Sequence, residues 1–387
     1  MTDELHVVHV INRLSPSGGA EVSLLQSLPH LRAAGIRSTV VTVHPHDRGS
    51  RVDEARSSGA DVICLDAPGL LSATARFMRL LPGLQADLVH TTLFDAGVVG
   101  RVAARMRGVP AVISVVNAAY AATVGRASGG RLAGVVVKQV DRQLTRHATI
   151  GVHALSHFSA SAAEETLGAD PHRITVVPRG RDRAALGHPS PERRASARAA
   201  LELDDTQPVV LSVGRQEGQK AHHLLVQAFT TVVAKHPRAV LVLAGRPGAN
   251  TSRIESCITQ ADLPEGSVRV LGRRDDVGDL LCAADVFALP SLSEGLGGVV
   301  IEAMAMEAAV ASFALPAVVE VLGDSGVVVP PGDVVALGDA VLSLIDDPVR
   351  RRRLVATALS RFEDNYRIET VAARMADWYR SLSHAGR

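Results

Sequence analysis

Glu294 and Glu302 are separated by seven residues, inside a run that reads ADVFALPSLSEGLGGVVIEAM over residues 284–304. A strand-like stretch, 285–289, leads through Pro290 and Ser291 into a glycine-rich step and then an apolar helix. This layout puts Glu294 in a loop at a helix N-terminus. It puts Glu302 about two turns into that helix, on the order of 12 Å away if the whole span is helical. Gly297 and Gly298 leave backbone N–H groups accessible between the carboxylates, and the positive end of the helix acts with them. Carboxylates accept hydrogen bonds from hydroxyls, and N–H groups at a helix start hold phosphate. A nucleotide sugar has that order of groups and about that length. Two glutamates at this spacing also arise by chance in helices, so the pair gains meaning only from its neighbours.

The run LSVGRQEGQKAHHLLVQAF, residues 211–229, supplies such a neighbour. An apolar strand over 209–213 ends in Gly214-Arg215, a polar loop carries Lys220, and a helix with apolar periodicity follows. Arg and Lys five apart in such a loop can converge on one anion, the first as a planar fork and the second as a point charge. A solvated loop explains two basic residues as well when they are taken alone. The order of segments favours the anion site, because LVLAGRPGA (241–249), VRVLGRRDD (268–276), the glutamate pair and VVVPPGD (327–333) follow in turn.

These loops need rigid elements behind them. Short Val-, Ile- and Leu-rich segments alternate with amphipathic helical spacing along the chain. Seven of them between residues 5 and 177, and six between 209 and 329, read as strands. Near-continuous apolar strands spaced by helices predict parallel sheets covered on both faces, an α/β class. A Pro- and Arg-rich stretch over 181–198 separates the two series. The expected domains are therefore 1–185 and 186–365, with a final helical segment over 366–387. At 387 residues, each half is long enough to bury its own core.

Composition narrows the function class. A formal net charge of +1 argues against nucleic acid or another polyanion as partner. The cysteines, Cys64, Cys257 and Cys282, lie far apart in apolar segments, which reads as reduced, cytoplasmic and free of a zinc site. The start MTDELHVVHV is acidic and runs straight into a strand, unlike a signal peptide, and no apolar run is long enough to span a bilayer. A nicotinamide dehydrogenase needs Gly-x-Gly-x-x-Gly after a strand, and neither half has it in place.

Together these segments resemble glycosyltransferase family 4, the retaining, nucleotide-sugar-dependent transferases. The resemblance is densest over residues 209–333. The first half adds LSPSGGAEVSLLQSLPHLRAAG (14–35), DLVHTT (87–92) and ITVVPRGRD (174–182). It implies the GT-B fold, two Rossmann-like parallel-sheet domains facing a central cleft, with the last helix crossing back to the first domain. It implies transfer of a hexose-type sugar, with a UDP-sugar as leading donor, to a hydroxyl acceptor that is a small molecule or lipid-linked. By the resemblance, Gly214, Arg215 and Lys220 hold the diphosphate, Glu302 takes the ribose hydroxyls, and Glu294 takes hydroxyls of the transferred sugar. Leu296, Gly297 and Gly298 offer backbone N–H groups, the backbone around Arg273 meets the base, and Gly18 and Gly19 let the first loop approach the donor. His90, Asp95 and Asn117 are acceptor-side candidates. No Asp-x-Asp motif follows a strand, so no metal and no cofactor beyond the nucleotide sugar is expected; Arg215 and Lys220 take the metal's place. A hydrolase or epimerase of the same fold, or an inactive nucleotide-sugar-binding subunit, are the alternatives.

The chain departs from the family pattern at several points. Ala221 follows Lys220 where glycine is common. Glu307-Ala308-Ala309 and the 313–317 segment replace a glycine-rich loop near the sugar. Asn117 stands where a histidine often ends a strand, and Pro178-Arg179-Gly180-Arg181-Asp182 stands for Pro-Asn-Gly-Val-Asp. One further feature lies outside the family motifs. Arg131, Lys138, Arg142 and Arg146 form a basic stripe at helical spacing, opposed by a single acid, Asp141. A solvated helix face explains it; contact with the inner face of a membrane through anionic lipid is the functional reading.

Overall fold

A computed structural model of the chain describes residues 4–15, 18–46, 49–116 and 131–385. The chain divides into two compact units, Met1–Gly180 with Ile368–Arg387, and Arg181–Arg367. In the first unit, seven parallel strands form one sheet in the order β3-β2-β1-β4-β5-β6-β7. They are β1 Leu5–Ile11, β2 Ile36–Thr42, β3 Asp61–Cys64, β4 Leu88–Thr92, β5 Ala111–Val115, β6 Gly151–Ala154 and β7 Ile174–Val176. In the second unit, β8 Val209–Val213, β9 Val240–Ala244, β10 Val268–Gly272, β11 Val286–Leu289, β12 Ala309–Phe313 and β13 Val327–Val329 are arranged as β10-β9-β8-β11-β12-β13. Each sheet is the parallel, helix-covered sheet that the apolar runs predict.

Both orders read third-second-first-fourth. The first strand of each unit therefore has its second strand on one side and its fourth on the other. Val8 pairs with Thr39 on β2 and Val89 on β4, and Leu211 pairs with Val242 on β9 and Phe287 on β11. Where the winding reverses, the loops after the first and fourth strands part and leave a crevice beyond the strand ends, the usual ligand position in open α/β sheets.

The helix Ile368–Ala385 packs on the first unit, where Ala372, Ala376, Trp378 and Tyr379 share a core with Val7, Leu31, Ile36, Leu88 and Val112. Beneath it runs a polar chain whose direction is fixed at one end. His153 Nε2 lies 2.7 Å from the Val177 carbonyl, so it donates, and Nδ1 must accept from Ser114 Oγ at 2.7 Å. Ser114 in turn accepts from His90 Nε2 at 2.7 Å, leaving His90 Nδ1 to accept from the Tyr379 hydroxyl at 2.6 Å. His9 lies against His90 and Tyr379, with ring centroids 5.8 and 6.2 Å away. Burial pushes His9 and His153 down to about 4 and His90 well below its ordinary value, so all three are neutral imidazoles.

The helix Arg131–His147 corrects one expectation. Asp141 does not oppose the basic stripe at the surface. It is buried and paired with Arg101, which also donates to the Gly97 carbonyl at 2.8 Å and to Thr145 at 3.1 Å. A buried guanidinium needs a counter-charge, and Asp141 supplies it, so the Asp141 face turns inward. Val135 and Val136 consequently face outward, 58% and 62% exposed. The Pro- and Arg-rich stretch that separates the two series of strands is itself ordered. It folds as two helices, Arg183–Leu186 and Pro191–Ala200. Arg198 is buried there, bonded to the carbonyls of Ala283 and Asp204.

Candidate functional site

The crevice in the second unit opens between the ends of β8 and β11. The loop after β8 runs from Gly214 to Ala221, and the loop after β11 runs from Pro290 to Gly297. A backbone bond from Leu292 N–H to the Gln219 carbonyl, 2.8 Å, ties them together. Across this tie Lys220 Nζ meets Glu294 Oε1 at 2.5 Å, and Ser291 Oγ donates to the same oxygen at 2.7 Å. Their side chains are 16% and 11% exposed, so the pair is largely withdrawn from water and electrostatically strong. Burial and the Lys220 charge push the adjacent His222 down to about 4, which leaves Lys220 as the cation of this corner. Arg215 leaves the same loop at its exposed rim, 43% exposed, with Glu217 at 3.9 Å.

Two features missed in the sequence hold this loop. Gln216 is buried, donating to the Gly245 carbonyl at 3.2 Å and accepting from Thr251 Oγ1 at 2.7 Å, which locks the β8 loop to the β9 loop. A glutamine in a polar loop gives no sign of this in sequence. The second feature is the row of glycines that ends β8, β9 and β10: Gly214, Gly245 and Gly272. A Cβ on Gly245 would stand 1.7 Å from the Gly214 carbonyl oxygen, so only glycine allows these strand ends to lie so close. Each glycine precedes an arginine, placing Arg215, Arg246 and Arg273 along one edge of the sheet; Arg273 is exposed and bonded to Asp275 at 2.9 Å.

At two of the positions where the resemblance has glycine, this chain holds a left-handed backbone without one. Ala221 has φ 46° and Glu307 has φ 57°, both left-handed. Holding a non-glycine residue there costs about 1–2 kcal/mol. Arg183 offsets part of it at Glu307 through a 2.6 Å bond to the carboxylate.

Gly297, with φ 82°, caps the helix Gly298–Ala305, and Leu296 is buried just before it. Because the helix starts only at Gly298, Glu302 is about one turn into it, not two; the left-handed cap excludes the preceding residues from the helix. Glu302 Oε1 accepts from Arg181 Nε at 2.7 Å.

In the first unit, Gly18 caps the helix Gly19–Ala33 just after β1. At the facing strand end, Asp95 accepts from His44 at 2.7 Å, and Asn12 Oδ1 accepts from the Ala96 N–H at 3.0 Å. Gly18, Gly19 and Asp95 thus flank the crevice between β1 and β4. His90 lies inside the sheet with both ring nitrogens engaged, beside a cavity of about 80 Å³ that His9, Ser23, Arg179 and Tyr379 also line. That is smaller than the ~150 Å³ that holds a benzene ring. Asn117 falls outside the described residues. Among the described residues, no group of three or more His, Cys, Asp or Glu side chains could hold a metal, and no helix is long and apolar enough to cross a membrane.

The same two-unit division appears in family comparisons. The model described as "Glycosyl transferase 4-like domain" matches residues 18–180, and "Glycosyl transferases group 1" matches 207–347. The D-inositol 3-phosphate glycosyltransferase of Kineococcus radiotolerans is 32% identical over 359 residues, covering 85% of this chain and 77% of that protein. The 2-deoxystreptamine glucosyltransferase of Streptomyces kanamyceticus is 27% identical over 350 residues, 85% of this chain and 90% of that one. Among solved structures, Anabaena HepE in complex with UDP-glucose superposes with a TM-score of 0.84 at 22% identity, over 97% of this chain and 100% of that one.

Proposed function

This chain belongs to the family 4, group 1 glycosyltransferases and has their GT-B fold, and on that premise we propose that it moves a hexose from a nucleotide diphosphate sugar to an acceptor hydroxyl with retention. The observation that carries the reading is Lys220 on Glu294 at 2.5 Å, at the winding reversal of the second unit. Lys220 and Arg215 meet the diphosphate and stabilise the charge that develops as the nucleotide departs. Glu294 accepts from hydroxyls of the transferred sugar, and Glu302 accepts from the ribose. In a front-face transfer the bond from the anomeric carbon to the phosphate oxygen breaks while its bond to the acceptor oxygen forms on the same face. The acceptor proton passes to the departing phosphate.

UDP-glucose is the leading donor, supported by the ligand of the Anabaena protein. The named acceptors of the two relatives, inositol phosphate and 2-deoxystreptamine, are both six-membered carbocycles bearing hydroxyls, which supports a cyclitol acceptor here. With two cations at the diphosphate, transfer proceeds without metal.

Donor titration tests the orientation. Glu302→Ala should weaken UDP binding, while Glu294→Ala should leave UDP affinity nearly unchanged and reduce sugar transfer. The reverse order would turn the donor around. The same transfer assay in excess EDTA should keep its rate; loss restored by magnesium would place a metal at the diphosphate. Donor cleavage in water alone, with no cyclitol glycosylated, would favour a hydrolase, and no turnover with intact UDP binding would favour an inactive subunit.

A peripheral membrane contact is a further part of the reading, through the basic stripe that the sequence spaces over Arg131, Lys138, Arg142 and Arg146, on a helix that also exposes Val135 and Val136. Vesicles containing phosphatidylglycerol should then sediment the protein at low salt and release it as salt rises, since each cation contributes about 1 kcal/mol within a Debye length. Equal sedimentation with neutral vesicles would remove this contact.

A further inference from the structure

Arg181 is the first residue of the second unit. The resemblance has valine at this place, so the arginine is a feature of this chain. Its backbone is fixed by a bond from its N–H to the Tyr366 carbonyl, 2.8 Å, and by a parallel bridge to Arg367. Its side chain is 5% exposed and runs to the helix Gly298–Ala305, where Nε donates to Glu302 Oε1 at 2.7 Å. A Cβ on Gly298 would stand 2.2 Å from Arg181 Nη2, so the missing side chain at 298 makes room for this guanidinium.

Glu302 lies in an otherwise apolar helix, between buried Ile301 and Ala303, and its side chain is 19% exposed. A carboxylate in that setting is costly unless paired, and a flexible one would lose rotamer freedom on meeting a ligand. Arginine answers both needs. Its N–H lies in a planar, rigid fork, so one bond fixes the direction of the carboxylate as well as its charge. A carboxylate has about four lone-pair sites, so accepting from Arg181 leaves capacity for a vicinal diol.

We propose that Arg181 is a positioning residue for donor recognition, holding Glu302 in the rotamer that accepts from the ribose hydroxyls. This rests on the reading of Glu302 as the ribose acceptor. On this reading Arg181 acts on the donor through Glu302. Its loss should act on binding shared by ground and transition states, raising KM and sparing kcat.

The test uses UDP-glucose and GDP-mannose, which share the ribose diol, with the full-length protein. Arg181→Met should raise the Kd and the donor KM about tenfold, with kcat within about threefold of wild type. Arg181→Lys, which keeps the charge and one donor, should recover part of that loss. In a double-mutant cycle, Arg181→Met on a Glu302→Ala background should weaken binding little further, because both act through one carboxylate. Arg181→Gln, which keeps a polar side chain but removes the charge, should reproduce the KM increase if Arg181→Met does not fold. Additive losses in the cycle, or a kcat loss without a KM change, would overturn the proposal alone. Wild-type affinity in Glu302→Ala would instead overturn the ribose reading beneath it.

Discussion

Arg215→Ala and Lys220→Ala are each expected to lower turnover by roughly 100-fold or more, about 2.7 kcal/mol of transition-state stabilisation. Charge on the departing phosphate is greater in the transition state than in the bound donor, so the loss should fall on kcat and on kcat/KM together. The two variants should differ in stability. Arg215 is 43% exposed with a long contact to Glu217, so its removal should leave the melting temperature near that of wild type. Lys220 is the counter-charge of Glu294, which is 11% exposed, so its removal strands a carboxylate and should lower the melting temperature as well. Lys220→Ala/Glu294→Ala should regain part of that stability without regaining turnover. Near-normal turnover in both single variants would remove the two cations from the reaction.

What the sequence made legible, and what it hid, divides along the range of the interactions. The strands of both sheets follow from Val-, Ile- and Leu-rich runs, because a parallel strand buried on both faces can hold little else. Lys220 and Glu294 stand out because they sit in loops after such strands, the usual ligand position in open α/β sheets, and Glu302 because it is the one charge in an apolar helix. Their partners do not stand out. Lys220 and Glu294 are 74 residues apart, and Arg181 and Glu302 are 121 apart. Only the strand order brings them together, and no local period encodes it. Asp141 reads as a surface acid because its helix is amphipathic by count, whereas its partner Arg101 is 40 residues earlier and equally buried. The start of the helix below Glu302 depends on one left-handed residue, Gly297, which composition alone cannot separate from Gly298. Ala221 and Glu307 mark the opposite case. The glycines of the resemblance are gone there, yet both residues hold a left-handed backbone, because the surrounding loops dictate φ more strongly than the residue does.

Acidification from pH 7 toward 4 is expected to destabilise the first unit steeply. His9 and His153 are held down to about 4, against 6.5 in an unfolded chain, and His90 is also well below. Burial is the main cause in each, with a neighbouring histidine or Arg179 adding repulsion. The unfolded chain therefore binds protons that the folded chain refuses. The stability these imidazoles contribute is complete above 6.5 and drains away as pH falls toward 4. At about 1.4 kcal/mol per pH unit and proton, His9 and His153 each lose roughly 3 kcal/mol over that window. Two such losses reach the scale of a domain's whole stability, about 5–15 kcal/mol. Trp378, the single tryptophan, lies 6.0 Å from His90 and reports on this unit alone. Urea unfolding followed by its fluorescence should give a midpoint that falls between pH 7 and 5, and His9→Asn should shrink that pH slope by about one proton. A midpoint constant across this range would mean that the imidazoles exchange protons with water in the folded state and that the polar chain from Tyr379 to Val177 is not closed.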